Sequence, residues 1–185
     1  MNKLIDIADV SIGILKNRYE SRAFDKKQIT YNMVNYGSIS EKTSITSTKF
    51  ISNSEIDQTF FTKENDILIK LFPPISITKI EKGSENLLVS SNVVIVRAKK
   101  IDSNLLYFLL KNKIRHFNQL MDGSIVRSLN VKAIKDVTFK ENLNDNNLVK
   151  KAILNELFTK KIILENRKIQ LIKKQQIFYT LKGDK

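Results

Sequence analysis

The sequence contains no cysteine and no tryptophan, one histidine, two prolines and five glycines in 185 residues. Without cysteine there is no disulfide framework, no thiolate nucleophile and no zinc site built on sulfur. A lone His116 argues against a Ser-His-Asp triad and against a histidine-rich metal site, because each needs more imidazoles or fixed partners than the chain offers. Long hydrophobic runs are missing too. Val93-Val94-Ile95-Val96 is representative, far below the ~20 apolar residues that span a bilayer. Asp6 and Asp9 interrupt the apolar positions of the N-terminus, so no signal peptide is expected, and the chain is expected to be soluble and cytoplasmic. No Gly-x-x-x-x-Gly-Lys-Ser/Thr or Gly-x-Gly-x-x-Gly segment occurs, which excludes the usual phosphate-cradling loops for nucleotides. Acidic residues are in short supply: 19 Asp and Glu stand against 32 Lys and Arg, for a formal net charge of +13.

What is present suits one globular domain with an appendage. The chain is 42% hydrophobic and 8% aromatic, enough to bury a core without covalent staples. Twenty-six of the basic residues are Lys, and Ile (25) and Asn (18) are also abundant. That trio is what an AT-rich genome encodes by default, so codon bias accounts for part of the charge. Asp and Glu have not risen to match, however. A field of this sign favours polyanionic partners through phosphate neutralisation and counterion release, which points to nucleic acid.

Residues 1–145 carry short β-type runs separated by turns. Val10–Leu15 runs into the polar loop Lys16-Asn17-Arg18-Tyr19. Ile67–Phe72 is expected to be a strand stopped by Pro73-Pro74, since proline cannot donate to a ladder. Lys82-Gly83-Ser84 is a turn, and Leu87–Arg97, dense in β-branched residues, is the strongest strand signal. The period then changes. Ile101, Leu105, Phe108, Leu109, Ile114 and Phe117 recur at three- and four-residue steps, predicting a helix over Ser103–Leu120 with Asp102 or Ser103 as N-cap. Asp122-Gly123-Ser124 ends it, and Ile134–Phe139 is expected to be a last strand. The fold class is α/β or α+β: short strands and a few helices in one globule.

Residues 146–185 form the second unit. From Leu148 to Leu181 no Gly or Pro interrupts a helix, and Leu157, Leu164, Leu171 and Phe178 repeat every seven residues, flanked by Ile153, Phe158, Ile162, Ile169 and Ile172. This predicts an apolar seam along a helix ~50 Å long, a coiled-coil-forming element that needs a partner helix. The alternative is an amphipathic helix folded back on its own domain. Lys160, Arg167 and Lys174 lie where a second apolar row would complete the seam, which favours an antiparallel or crossed partner over a parallel zipper. Ten basic residues against three acidic ones fall between 148 and 185.

Two fragments resemble pieces of catalytic machinery. Phe72-Pro73-Pro74-Ile75 has the proline pair of DNA amino-methyltransferases. It lacks the Asn or Asp before the pair and the aromatic after it that engage the target base. Asp25-Lys26-Lys27 has the Asp-x-Lys half of a metal-dependent nuclease core, without an upstream Pro-Asp. His116, between Arg115 and Phe117, falls on the polar side of its helix. No enzyme is expected.

In order along the chain, several segments resemble the target-recognition domains in specificity subunits of type I restriction-modification systems. They are Leu4-Ile5-Asp6-Ile7-Ala8-Asp9-Val10 with Gly13, Glu64-Asn65-Asp66-Ile67-Leu68-Ile69, Leu88-Val89-Ser90-Ser91-Asn92, and Val93–Arg97. They continue in Leu105-Leu106-Tyr107-Phe108-Leu109-Leu110, Gly123-Ser124, Leu129-Asn130-Val131-Lys132, and Ile134-Lys135-Asp136-Val137, before the terminal helix. The proline-rich segment and following Gln that usually lead into the family's helix are absent from Val137–Asn142. Family members carry two recognition domains and two long helices; this chain has one of each. The resemblance therefore implies a half-subunit. Two copies would pack their helices antiparallel through Ile153, Leu157, Leu164, Leu171 and Phe178 and read a bipartite inverted-repeat site. It further implies no catalysis and no cofactor in this chain. A methyltransferase subunit, which uses S-adenosylmethionine on adenine, and in complete systems an ATP- and Mg²⁺-dependent restriction subunit would be its partners. DNA contacts are expected in loops: Lys16, Asn17, Arg18, Tyr19, Arg22, Tyr31, Asn32, Tyr36, Lys42, Lys70, Ser124 and Arg127. Tyr107 and Phe108 are expected to be core. A competing possibility is a non-catalytic scaffold or regulator that engages the methyltransferase, or a full-length specificity subunit, through the same helix.

Overall fold

A computed structural model describes residues 2–22, 26–39, 45–122, 127–141, 143 and 146–183, with the backbone alone at helix positions 146, 155, 156, 158–160, 163, 167 and 175–183. The chain opens with β1 (Asn2–Lys3), one helical turn α1 (Leu4–Ile7), and β2 (Ala8–Ile12). Next come β3 (Ile29–Val34), β4 (Thr48–Ser52), β5 (Ile67–Lys70), β6 (Ile77–Lys79), β7 (Leu88–Val89) and β8 (Val93–Ala98). The helices α2 (Ser103–Asn112) and α3 (Ile114–Gln119) follow, then β9 (Met121–Asp122), β10 (Ser128–Leu129), α4 (Val131–Lys135), β11 (Thr138–Phe139) and α5 (Asn146–Gly183). The expected mixed α/β class of short strands and a few helices is what forms.

One sheet is antiparallel, in the order β2-β8-β5-β6, and a second runs β4-β3-β7, with β3 antiparallel to β4 and parallel to β7. Two short pairs, β1-β11 and β9-β10, complete the pairing. β5 and β8 are central strands covered on both faces, so their residues are apolar without alternation. Ile67, Ile69, Val94 and Val96 face a core made with Leu105, Leu106, Leu109, Leu110, Phe117, Ile134 and Phe139. On the other face, Leu68, Val93 and Ile95 pack with Val34, Ile39, Ile80 and Val89 between the sheets. A third cluster, Ile14, Met33, Phe50, Ile56, Phe61 and Leu88, lies under β3 and β4.

The expected single strand over 87–97 is two strands in different sheets. Ser90-Ser91-Asn92 breaks the β-branched run, and the chain crosses from β7 to β8 there, turning through a Val93 N–H to Ser90 C=O bond of 3.0 Å. The expected helix over 103–120 divides at Lys113, whose N–H closes back on the Leu110 carbonyl three residues earlier, a tightening common at helix ends. Asp102 is its N-cap, accepting from the Asn104 and Leu105 amides. Ile134 and Lys135 are helical rather than extended: Asn130 Oδ1 accepts from Lys132 N at 2.8 Å and starts α4, leaving only Thr138–Phe139 as strand. The Asn before an amphipathic pentapeptide was the sequence signal for that helix. Leu4–Ile7 is likewise a helical turn within the expected β-rich region. Gly83 takes a positive φ of 86° in its turn.

One polar feature ties the start of β5 to β8. Arg97 donates from Nε and Nη2 to the two oxygens of Asp66, each at 2.7 Å, and Asp66 is 1% exposed. The hydrogen bonds from this carboxylate raise the guanidinium above its already high ordinary pKa. Asp66 also accepts from Lys63 N at 2.7 Å, so its charge is well satisfied, and removal of Arg97 would leave a buried carboxylate without its counter-ion. The first turns of α5 belong to the globule. Ala152 is 2% exposed, and Leu148 and Val149 pack on the main core. Beyond them Leu157, Leu164 and Leu171 are 59%, 63% and 64% exposed.

Gly13 lies where a side chain has no room: a Cβ would stand 2.2 Å from the Val89 carbonyl oxygen and 2.4 Å from that of Ser90. Both atoms are backbone and cannot rotate away. Gly13→Ala is expected to lower the Tm by roughly 5–10 °C, about 1–3 kcal/mol, as followed by circular dichroism. An unchanged Tm would show that the bend at residues 90–92 yields.

Candidate nucleic-acid interface

The bend at Ser90–Asn92 collects segments that are far apart in the sequence. Ile14 N donates to Val89 O at 2.8 Å, and Ser91 N returns a bond to Ile14 O at 2.8 Å. Ser90 N donates to Val34 O at 3.0 Å, and Leu71 N to Asn92 O at 3.0 Å. Leu129 N then donates to Leu71 O at 2.8 Å. Within one to four residues of these anchors lie Lys16, Asn17 and Arg18 after Ile14, Tyr36 after Val34, Lys70 before Leu71, and Arg127 before Leu129. Backbone pairing thus brings four of the expected DNA-contact segments around one bend.

Lys16–Arg18 form a 3-10 turn. Together with Leu15 it makes one wall of an open cleft of about 470 Å³, whose other wall is Ser90–Asn92. Those three polar residues were not among the expected contacts. Their signal in the sequence was a polar triplet interrupting a β-branched run, which announces a bend but not what gathers there. Asn17 and Arg18 are exposed and Lys16 half-buried.

Lys70 closes β5 with its stem buried, at 8% exposure. Its ammonium lies 5.8 Å from the centre of the Tyr36 ring, and that ring is 6.1 Å from Phe72 at a tilt of 59°. Tyr36 is 50% exposed and sits in a 3-10 turn capped by Asn35, whose Oδ1 accepts from Gly37 N at 2.9 Å. An aromatic face beside a cation suits both a stacked base and a phosphate. Among the described residues, no acidic side chain lies within ion-pair distance of Lys16, Arg18, Lys70 or Arg127. Lys3, Lys27, Arg97 and Lys99 are paired, with Asp136, Glu55, Asp66 and Asp9 respectively. Lys16, Arg18, Lys70 and Arg127 lie where the loops converge.

The other expected contacts are placed differently. Tyr19 and Tyr31 are half-buried and pack on the third core cluster, Tyr31 edge-on to Phe61 at 5.4 Å. Asn32 is exposed on β3 opposite Lys49, its cross-strand partner. Arg22 is exposed. Lys42 and Ser124 lie outside the described residues, as does Asp25. His116 is exposed on α3. Among the described residues no group of three or more His, Asp or Glu side chains is placed to hold a metal ion, and no helix is long and apolar enough to cross a membrane.

With strand order, bend and α5 in place, comparison with solved structures is informative. The S subunit of a type I restriction-modification system from M. genitalium superposes with a TM-score of 0.60 at 16% identity, over 89% of this chain and 39% of that one. The fold is that of a type I specificity subunit. The HsdS subunit from Thermoanaerobacter tengcongensis matches with a TM-score of 0.57 at 10% identity, over 91% of this chain and 38% of its own. A chain from a structure describing assembly and conformational transition of the type I restriction-modification system gives 0.58 at 10% identity, over 89% and 39%. This chain thus spans about two-fifths of the specificity subunits it matches. No family model matches it, and no curated protein does either.

Within the specificity-subunit fold Lys70 is the test of whether a buried cation is structural. Methionine reproduces its stem without a charge to solvate. Lys70→Met is expected to keep or raise the Tm, by up to about 3 °C, in a thermal melt. A loss of more than roughly 5 °C would mean that the ammonium holds the fold together.

Proposed function

We propose that the chain is a non-catalytic, sequence-specific DNA-binding specificity subunit, a half-subunit that works as a homodimer. It directs an adenine methyltransferase, and in a complete system a restriction subunit, to a bipartite inverted-repeat site. The observation that carries this reading is the grouping of unpaired cations, amides and an exposed tyrosine around one bend, on a fold shared with type I specificity subunits. Residues 1–145 recognise DNA, and 146–185 pair and set the spacing. Phosphate contacts come from Lys16, Arg18, Lys70 and Arg127; base contacts come from Asn17 and Tyr36, with Asn32 at the side. The chain itself needs no cofactor; S-adenosylmethionine, ATP and Mg²⁺ belong to the partner subunits.

Pairing is supported by the exposure of Ile153, Leu157, Leu164 and Leu171 along one side of α5; Phe178 extends the same heptad row. Such a row left in water is unfavourable, and a second copy laid antiparallel would bury it on both chains. Ile162 and Ile169 are also exposed, at 42% and 51%. They stand five residues on from Leu157 and Leu164, roughly 140° round the helix. That second row supports a further partner on the flank of the helix pair, the methyltransferase subunit.

Two experiments test the reading. Light scattering on the full chain is expected to give a dimer at micromolar concentration, and Leu157→Glu/Leu164→Glu a monomer with the globule still folded. A monomeric wild-type chain would contradict the homodimer. Single-molecule sequencing of host DNA with and without the gene is expected to show loss of adenine methylation at a two-part inverted repeat. Unchanged methylation would refute modification guidance.

A further inference from the structure

Among the described residues Lys70 is the one buried cation, at 8% exposure; Arg18 and Arg127 are exposed and Lys16 half-buried. Its backbone is fixed on both sides of β5. It pairs in register with Val93 of β8, and its N–H donates to Ser76 O at 3.0 Å. Among the described residues the buried side-chain atoms without a hydrogen-bond partner are Glu85 Oε2 and Ser90 Oγ. The Lys70 ammonium, which has neither a hydrogen bond nor an ion pair among those residues, is thus open at the surface while its stem is enclosed. What the ammonium meets is the Tyr36 ring, at 5.8 Å. That ring is set against Phe72, on a turn closed by two reciprocal bonds: Asn35 N to Ser38 Oγ at 3.2 Å and Gly37 N to Asn35 Oδ1 at 2.9 Å. A cation held this way has lost part of its hydration, and an aromatic face returns only part of that loss. It has also given up its rotamer freedom before any ligand arrives.

We propose that Lys70 is the anchor of the DNA interface. Its ammonium seats one backbone phosphate and sets how long the complex lasts, while Lys16, Arg18 and Arg127 steer the approach. This rests on the DNA-binding reading and divides its four cations by task. What Lys70 lacks is a full opposite charge, which a phosphodiester supplies and a base edge does not. An ammonium is also a point charge with three rotating donors, suited to a phosphate rather than to planar, bidentate reading of a base. The gain is larger here than at an exposed cation, because the surroundings screen less and no side chain has to be immobilised on binding. Exposed cations keep their long-range field but surrender rotamer freedom on contact, which makes them effective in attraction and weak in retention. Lys70 and Tyr36 are fixed to one another, so a phosphate seated on the first sets the position of the second along the duplex.

The test measures association and dissociation of the full chain on a mixed-sequence 30-base-pair duplex by stopped-flow fluorescence anisotropy. Lys70→Met is expected to raise the dissociation rate about tenfold and to change the association rate by less than about twofold. The salt slope of its affinity is expected to fall by about 0.9 per bound protomer, one phosphate's worth. Lys16→Gln/Arg18→Gln is expected to do the reverse, slowing association roughly three- to tenfold and leaving dissociation within about twofold. A Lys70→Met chain with the wild-type dissociation rate, or one whose loss falls on association, overturns the anchor. Weaker binding with an unchanged salt slope puts Lys70 on a base and overturns the phosphate seat. A second measurement needs no substitution. The side-chain Cε and Nζ resonances of Lys70, followed by NMR in the wild type, are expected to shift on addition of duplex; unmoved resonances overturn the proposal even where the variant does not fold. A wild-type chain that binds no duplex refutes the DNA reading and the anchor together, whereas duplex binding without an effect at Lys70 refutes the anchor alone.

Discussion

Everything in this molecule depends on how one short bend is held. At Ser90–Asn92 the chain leaves the three-stranded sheet and enters the four-stranded one, so β7 and β8 are successive strands of different sheets. A bend of three polar residues has no intrinsic reason to keep that geometry. It is kept because Ile14, Val34 and Leu71 each hydrogen-bond its backbone, and because Gly13 lets the first of these approach to a distance no side chain would allow. Each bond contributes only about 1 kcal/mol net, but together they leave the bend one conformation. Valines on both sides, Val89 and Val93, lock it into the core between the sheets.

The same geometry explains why the side chains of the proposed recognition surface collect there. Each segment that anchors the bend must leave it again, and it leaves through a loop or turn: Lys16–Arg18, Tyr36–Ser38 and the stretch beyond Lys70. Rigid backbone pairing underneath and polar side chains on top is the usual division of labour between scaffold and binding loops. Some cations elsewhere in the globule are held by carboxylates, as Arg97 is by Asp66 and Lys99 by Asp9. Those around the bend have no such partners among the described residues, so their field is available to a polyanion. α5 adds a different surface. Its first turns are fastened to α2 and the main core through Leu148, Val149 and Ala152. The orientation of the exposed leucine row is thereby tied to the body that carries the loops, and a partner helix would transmit a fixed distance between two such bodies.

The sequence on its own determined what local chemistry controls. It specified a basic, cysteine-free α/β globule, a turn at Gly83, a strand ending before Pro73-Pro74, an N-cap at Asp102, and a C-terminal stretch with nothing to stop a helix. It also placed Lys16, Asn17 and Arg18 in a polar loop after a strand. Tertiary structure decided the rest, because each remaining question turned on a contact between distant residues. A β-branched run from Leu87 to Arg97 looks like one strand until β3 and β5 claim its two halves for different sheets. Tyr19 and Tyr31 resemble loop aromatics until Phe61 and Phe50 supply a core for them. Ser90 is an ordinary turn serine in the sequence; only the approach of Ile14 and Val34 buries its hydroxyl. Periodicity reports which face of an element is apolar, but not which partner covers it, and that choice is made by pairing across the whole chain.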